Sequence, residues 1–225
     1  NFVEVPTDWM ISKERAAYWR DHIAAGQPIH AEFTPTGSPH TTHVSVVDGA
    51  GNLVNLTHSL GMSSGVITPG MGFMYNNSMV NFHPWPGHPN SIAPGKGRTT
   101  GMAPTIVYAK GDSTARQPLL TLGGAGATRI TTGCVQVILN VLEFGMSAAE
   151  AIYAPRFDCQ VGAIRHERRI PRSVMEEVGK RHPTLEMPFS YGGVGILHAI
   201  YRDPATGKLS GGSDGGGEGM AMIVE

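Results

Sequence analysis

The hydrophobic pattern changes its period at a glycine-rich segment over residues 123–127, and this change limits the folds open to the chain. In the strand segments just before it, apolar residues alternate as they do in paired strands. Directly after it, over residues 130–142, they recur about every 3.6 positions, as on one face of a helix. Because strand pairs come first and helices follow without regular alternation, the pattern predicts a layered α+β domain.

Short-range signals place the individual elements. Ser147 and Glu150 have capping-box spacing, Thr128 is expected to cap the preceding helix, and Gly145 lies past its end. Gly, Pro, Asn and Met dominate residues 61–104 and predict long ordered loops, which are usually functional in compact domains. The predicted segments are an amphipathic helix over 12–25, a hairpin of strands over 43–48 and 52–59, strands over 105–110 and 118–123 with a polar turn at 111–112, helices over 130–142, from 147 and over 173–180, and a final long strand over 195–202.

The segment 31–40 separates the first helix from the hairpin. It contains two prolines, one glycine and three hydroxyl residues, which predict an exposed linker. Exposed, flexible peptide is where chains are cut. We therefore divide the chain into residues 1–40 and a main domain over 41–225.

The net charge and the spacing of cysteines and histidines limit the classes of partner and of metal site that the chain is expected to have. The formal net charge is −1, which offers no basic footprint for nucleic acid, so small molecules are the expected partners. Cys134 and Cys159 lack metal-type spacing and are expected to be small buried hydrophobes. Ten histidines, including His40, His43, His83 and His88, show no HExxH-like spacing, and we expect neither a metal ion nor another cofactor.

No apolar run approaches the roughly 20 residues that cross a bilayer. Residues 1–20 also lack the basic start and apolar middle of a signal peptide. The sequence therefore predicts no membrane span and leaves the compartment open.

The stretch His40-Thr41-Thr42-His43-Val-Ser-Val-Val-Asp48, followed by Gly51-Asn52, resembles the start of the small subunit of gamma-glutamyltransferases. The resemblance continues through the motifs Tyr75-Asn-Asn77, Pro94-Gly-Lys96, Met102-Ala-Pro-Thr-Ile-Val107, Gly123–Ile130, Ala149-Glu-Ala151, Ala154-Pro-Arg-Phe157 and Ser213-Asp214. It implies an N-terminal-nucleophile (Ntn) hydrolase with a four-layer αββα sandwich.

In that family a proenzyme cuts itself before the first Thr of the Thr-Thr-His motif, so the resemblance implies that Thr41 is the nucleophile. A hydroxyl is a weak nucleophile and needs an adjacent base. The α-amine released by the cut has a reference pKa of about 7.7–8.0 and is partly unprotonated near neutral pH. Thr41 would then carry nucleophile and base together.

Other catalytic groups follow from the same resemblance. The paired glycines of the family's oxyanion hole fall on Gly126 and Ala127, and alanine keeps the required N–H. Taken alone, the Gly-rich stretch is explained equally well by a tight turn or a phosphate loop. Thr57 falls where the family has a Thr that hydrogen-bonds the nucleophile, while a strand Thr without a catalytic role is the alternative.

The chain departs from the family at the residues that bind the glutamyl group. Ser59 stands where the family has Asn, Asn81 where it has Asp, and Thr100-Gly101 where it has a Ser pair. An amide in place of the carboxylate removes the charge that pairs with an ammonium group, a loss of about 1.5–3 kcal/mol. Arg98 and Lys96, close to Thr100, are candidates to hold a substrate carboxylate.

The implied function is an autoprocessing amidohydrolase or acyltransferase on a small-molecule amide. Glutaryl acylases and oxamate-type amidohydrolases are alternatives within the family, and a paralogue that binds a ligand without cutting it is the alternative from another class. Residues 1–40 resemble the end of a large subunit from the same precursor. The resemblance thus implies a large-subunit partner and allows a heterotetramer.

Overall fold

The computed structural model describes residues 4–27, 41–110, 117–160 and 162–224. The helices are α1 (Thr7–Met10), α2 (Lys13–Ala24), α3 (Arg129–Leu142), α4 (Ala148–Tyr153) and α5 (Arg172–Gly179), with a 3₁₀ turn over Ser78–Asn81. The strands are β1 (Thr41–Val47), β2 (Leu53–Ser59), β3 (Ser63–Ile67), β4 (Met74–Asn76), β5 (Thr105–Tyr108), β6 (Pro118–Ala125), β7 (Phe157–Asp158), β8 (Ile164–His166), β9 (Thr184–Glu186), β10 (Ile196–Arg202) and β11 (Leu209–Ser213).

Two antiparallel sheets stack on each other. One has the order β11-β10-β6-β5, and the other is the hairpin β1-β2, which packs on β6 and β10. Helices α3 and α4 pack on the four-stranded sheet. Successive side chains of β6 point to opposite faces, so this strand contacts the helices on one face and the hairpin on the other. Leu120 and Leu122 belong to the apolar cluster formed with the helices, whereas Gly123 faces the hairpin.

The apolar core lies between the four-stranded sheet and helices α3 and α4. Leu122, Val137 and Leu197 in it are fully buried, and truncating such a residue to alanine costs roughly 2–5 kcal/mol. The 3.6-residue period of α3 therefore turns its apolar side toward the sheet, as predicted. This packing fixes the end of β6 and the start of α3, where the candidate site lies.

The hairpin reverses the usual polarity of a sheet in a sandwich. Its inner face carries alternating polar side chains, namely Thr41, His43, Ser45, Asn55, Thr57 and Ser59. Its outer face carries Val44, Val46, Val54 and Leu56, which are 47–58% exposed. Sheets in sandwiches normally bury apolar residues between the layers, so both faces of this hairpin need an explanation from function.

The predicted mixture of paired strands and later helices is confirmed. Ser12 caps α2 by accepting from the Arg15 amide at 2.9 Å, and Ser147 and Glu150 form the predicted capping box. The hairpin, β5, β6, α3, α5 and β10 all lie where the sequence places them, within a few residues. The predicted linker 31–40 and the turn at 111–112 lie outside the described residues.

Four expectations are wrong. No residue of α2 is buried, so this helix does not use an amphipathic face within the described chain. Thr128 does not cap α3, because its hydroxyl donates to Gln160 at 2.8 Å. Strand β10 is not the last, since a Gly-rich β11 follows it, and Cys159 is exposed although Cys134 is buried.

Within the described ranges, every helix is too short or too polar to traverse a lipid bilayer.

Candidate active site

Seven of the nine residues predicted for the site line one cavity of about 380 Å³, a volume within the usual range of small-molecule sites. They are Thr41, Ser59, Asn81, Arg98, Thr100, Gly101 and Ala127. Gly126 directly precedes Ala127 and Thr57 lies two positions before Ser59, but neither is part of the cavity wall. The structure therefore brings the predicted nucleophile, the predicted oxyanion turn and the predicted binding residues together from five separate stretches of the chain.

Thr41 opens β1 and is paired across the hairpin with Ser59. The two hydroxyl oxygens lie 2.8 Å apart, and either can donate to the other. Ser59 also accepts the Gly61 amide at 2.9 Å, which fixes its rotamer. Ser59, predicted as a substrate-binding residue, thus directly contacts the predicted nucleophile.

The turn between β6 and α3 has a backbone that favours glycine at two successive positions. Gly126 has φ = 137°, and a Cβ there would lie 2.8 Å from the Gly195 Cα. Ala127 has φ = 56°, a left-handed conformation that costs an alanine roughly 1–2 kcal/mol. Strain of this kind persists where the surrounding structure enforces it, commonly at functional sites.

The direction of this turn suits the binding of an oxyanion. The carbonyls of Gly126 and Ala127 accept from the Arg129 and Ile130 amides and so point into the first turn of α3. Among the described residues, neither N–H of the pair is hydrogen-bonded to an acceptor. Successive amides at a helix N-terminus present partial positive charge to an anion.

Gly101 packs against the turn formed by Gly126 and Ala127. A Cβ built at Gly101 would lie 2.4 Å from the Ala127 carbonyl oxygen and 2.9 Å from its carbonyl carbon. Residue 101 must therefore be glycine for the loop to reach the turn in this arrangement. This contact explains in physical terms why a serine, which the family has here, does not fit the present backbone.

Thr57 is hydrogen-bonded to the histidine of the Thr-Thr-His motif. Its hydroxyl lies 2.7 Å from His43 Nδ1, and His43 Nε2 lies 3.0 Å from the Ser45 hydroxyl. Burial, and secondarily the charge of nearby His198, lowers the pKa of His43 to about 4, while Asn55 acts in the opposite direction. His43 is consequently a neutral imidazole at neutral pH.

The far wall of the cavity is formed by the loop that follows the 3₁₀ turn. The main-chain carbonyl of Asn81 accepts from the Asn90 amide group at 2.7 Å and from the Thr99 hydroxyl at 3.1 Å, which ties both ends of the loop together. The rings of His83 and His88 stack with centroids 4.2 Å apart. The wall is therefore held by its own contacts.

The charge of the cavity differs from that expected of an amino-acid site. Arg98 lines it, and its Nη1 donates to the Thr99 carbonyl at 2.9 Å. Lys96, the other predicted cation, is not part of the wall and donates to the Pro89 carbonyl. The described residues of the wall include neither Asp nor Glu.

Sequence reasoning missed several residues that support the site. Asn55 and Ser45 complete a hydrogen-bonded chain with His43, and only the hairpin register brings them together. Arg156 is fully buried and bonds Asp214, the Val194 carbonyl at 3.2 Å and the Ile152 carbonyl at 2.6 Å. The charged side chains of these two motifs therefore pair with each other in the interior and do not line the cavity.

Among the described residues, no group of three His, Cys, Asp or Glu side chains is arranged to hold a metal ion.

The chain is similar to known proteins over nearly its whole length. The sequence profile of the family described as Gamma-glutamyltranspeptidase matches residues 1–224. The chain is 36% identical, over 228 aligned positions, to the Acylase ACY 1 proenzyme of Pseudomonas sp. (strain V22), covering 99% of the chain and 39% of that protein. It is 30% identical, over 239 aligned positions, to the Glutathione hydrolase proenzyme of Escherichia coli (strain K12), covering 95% of the chain and 39% of that protein.

Among solved structures, the gamma-glutamyltranspeptidase from Pseudomonas nitroreducens, complexed with L-DON, superposes with a TM-score of 0.69 at 30% identity. The match covers 82% of this chain and 100% of the solved chain. The present chain spans about two fifths of the length of the two curated relatives, 39% of each.

Proposed function

The chain belongs to the gamma-glutamyltranspeptidase family, and on that premise we propose that it carries the catalytic part of an autoprocessing N-terminal-threonine amidohydrolase. The observation that carries this proposal is the shared cavity of Thr41 and the Ala127 turn. A nucleophile and backbone donors that face one space are what acyl transfer requires.

The chemistry starts from a free α-amine on Thr41. The amine takes the proton of the Thr41 hydroxyl as Oγ1 attacks the substrate carbonyl, and the resulting oxyanion is held by the N–H groups of Gly126 and Ala127. The C–N bond then breaks, the amine nitrogen leaves with a proton, and an ester on Thr41 remains. Water or a second amine cleaves that ester and restores the hydroxyl, which gives hydrolysis or transfer respectively.

The same hydroxyl produces the free amine. Before maturation, Thr41 Oγ1 attacks the carbonyl of residue 40, the peptide C–N bond breaks to release the Thr41 amine, and water hydrolyses the ester. Residues 1–40 are then the end of a large subunit, and residues 41–225 form the small catalytic subunit. The relatives' names as proenzymes support this division.

The substrate we propose is an amide whose acyl group ends in a carboxylate and lacks an α-ammonium group. Arg98 supplies a cation to the cavity, Asn81 replaces the family's carboxylate, and the described wall contains no acidic residue to pair with an ammonium. The 36% identity to a protein named as an acylase supports an acyl group other than gamma-glutamyl. A glutaryl-type or oxamate-type group has the proposed chemistry.

A large-subunit partner accounts for the reversed polarity of the hairpin. The outer face, formed by Val44, Val46, Val54 and Leu56, is about half exposed and needs an apolar cover. Helices packed there would add a fourth layer and complete the αββα sandwich. The heterotetramer remains a prediction.

Two matched substrates test the proposed specificity. Glutaryl and gamma-glutamyl anilides differ only in the α-amino group, so their kcat/KM ratio reports directly on the missing carboxylate. We expect the mature protein, assembled with its large subunit, to prefer the glutaryl amide. A preference for the gamma-glutamyl amide would contradict the specificity.

A second comparison tests the nucleophile itself. Thr41→Ala should abolish both cleavage and turnover, whereas Thr42→Ala, an exposed neighbour paired with His58, should keep both. Turnover by pure Thr41→Ala protein would refute the proposed chemistry.

A further inference from the structure

Two histidines, His83 and His88, lie side by side in the far wall of the cavity, and the chemistry proposed for Thr41 does not use them. Their rings are stacked, with centroids 4.2 Å apart and planes 13° apart. The loop fixes both residues, because the His83 amide donates to the Asn90 carbonyl at 2.9 Å and the His88 amide donates to the Ser91 hydroxyl at 2.9 Å. The pair is therefore a preformed part of the cavity.

The position of the ring proton of His88 follows from its Nδ1 atom. This atom lies 3.2 Å from the main-chain nitrogen of Asn90. A main-chain N–H can only donate, so Nδ1 must hold a lone pair, and the proton of the neutral ring lies on Nε2. Among the described residues, no acceptor is hydrogen-bonded to this Nε2–H.

The ring of His83 has the same arrangement. The main-chain N–H of Trp85 donates to His83 Nδ1 at 3.3 Å. The Trp85 carbonyl lies at the same distance from Nδ1, but it already accepts from the Ser91 hydroxyl at 2.5 Å, so the amide is the better partner. The proton of the neutral His83 ring is therefore also placed on Nε2, and within the described ranges this N–H too has no acceptor.

This arrangement differs from that of histidines that bind a metal ion. Such a histidine binds the metal through one ring nitrogen and normally donates the N–H of the other to a carbonyl or carboxylate. In His83 and His88 the nitrogen nearer the main chain instead accepts from an amide. The pair is thus arranged to donate two hydrogen bonds rather than to coordinate a cation.

The rest of the cavity suits an anion. Arg98 contributes a cation to the same wall, and the described residues of that wall include neither Asp nor Glu. A carboxylate only accepts hydrogen bonds, and its two oxygens can accept from two neighbouring donors. Two stacked N–H donors in one cavity with a guanidinium therefore match a carboxylate and do not match an ammonium group.

We propose that the Nε2–H groups of His83 and His88 bind the terminal carboxylate of the acyl group, while Arg98 supplies the opposite charge. This inference rests on the proposed function, which calls for such a substrate, and it names the side chains that select it. Recognition of the acyl group is thereby assigned to the loop over residues 82–91, in addition to the positions inferred from the family.

Asparagine and glutamine substitutions separate the two ring nitrogens. His88→Asn keeps an oxygen near the Nδ1 position to accept the Asn90 amide but removes the donor, whereas His88→Gln has an NH₂ group near the Nε2 position. In the mature protein, assembled with its large subunit, we expect kcat/KM for glutaryl anilide to fall at least about tenfold in His88→Asn, the worth of a hydrogen bond to a charged group. The fall in His88→Gln should be about threefold or less, and the same contrast is expected at His83.

A neutral substrate provides the matched comparison. When the terminal carboxylate of the glutaryl anilide is replaced by a carboxamide, His88→Asn should change kcat/KM by less than about threefold, because the charge-assisted hydrogen bond is absent. Trp85→Phe is the control for disturbance of the loop, since Trp85 is 72% exposed and is not part of the cavity wall. Equal losses on the two substrates, or a loss in Trp85→Phe as large as in His88→Asn, would overturn the proposal.

Binding can also be followed without turnover, by ¹⁵N NMR of histidine-labelled protein with signals assigned from the His83→Gln and His88→Gln variants. We expect the proton on Nε2 of both rings and a shift of both Nε2 signals when glutarate is added. Unchanged signals at saturating glutarate, or binding of Zn²⁺ to the pair in preference to glutarate, would overturn the proposal. A wild type that binds glutarate at the pair but hydrolyses no amide would support the carboxylate site and overturn the proposed function.

Discussion

The contact between Gly101 and the oxyanion turn gives the sharpest test of the site by mutation. In Gly101→Ala the new Cβ would lie 2.4 Å from the Ala127 oxygen and 3.3 Å from the Thr128 Cα, whereas ordinary contacts begin at about 3.4 Å. Relief of the clash with the oxygen needs a displacement of about 1 Å between loop and turn. Both partners are backbone atoms, so no side-chain rotation can absorb it.

The displacement has two separable costs. Overpacking of this size destabilises by about 1–3 kcal/mol, which lowers Tm by about 2–4 °C per kcal/mol in a chain of this length. A misplacement of about 1 Å in catalytic geometry costs on the order of 100-fold in rate, and loss of one oxyanion donor costs about 100- to 1,000-fold. We therefore expect kcat to fall about 100-fold.

Gly97→Ala is the control. Gly97 lies in the same loop, its φ is outside the left-handed region, and a Cβ there meets nothing within 4 Å. Steady-state kinetics and thermal unfolding of the two variants, measured side by side, isolate the clash from the general effect of replacing a loop glycine. Turnover by Gly101→Ala within threefold of Gly97→Ala would refute the placement of the oxyanion turn.

Three further predictions follow from individual contacts. Ala127→Gly relieves the left-handed φ but loosens the unfolded chain, so kcat should stay within about threefold and Tm nearly constant; a large loss of activity would contradict a backbone-only role. Arg156→Met leaves the buried Asp214 carboxylate unpaired and should cost about 3–5 kcal/mol in urea unfolding, less when Asp214→Asn is added; additive losses would contradict the pairing. The pKa of His43 lies below its unfolded value, so stability should fall as pH drops from about 6.5 to 4, by at most about 3 kcal/mol. His43→Gln should remove that part of the pH dependence in urea titrations, and an unchanged dependence would contradict the burial of a neutral imidazole.

Local sequence signals predicted those parts of the fold that depend on neighbours in the chain. Alternation along residues 41–59 gave the hairpin, and the spacing of Ser147 and Glu150 gave the start of α4. Thr128 was wrongly predicted as a helix cap because its hydroxyl donates to Gln160, a residue distant in the sequence. Strand β11 was missed since glycine weakens the β pattern, although pairing with β10 stabilises it.

The candidate site was likewise predicted from the sequence only in part. The family motif identified Thr41, and the Gly-rich segment marked the turn at Gly126 and Ala127 without its strained dihedral. The hydrogen-bonded chain of Asn55, Ser45 and His43 depends on cross-strand register and on two carbonyls from other segments of the chain. No spacing along the sequence encodes either feature, so only the folded arrangement could reveal them.

Mass spectrometry of the mature protein, captured during turnover of a slowly hydrolysed amide, tests the central claim most directly. The account predicts a fragment that begins at Thr41 and gains the mass of the acyl group, with the added group on that first residue. A protein that consumes the amide while residue 41 stays joined to residue 40 by an intact peptide bond would contradict it.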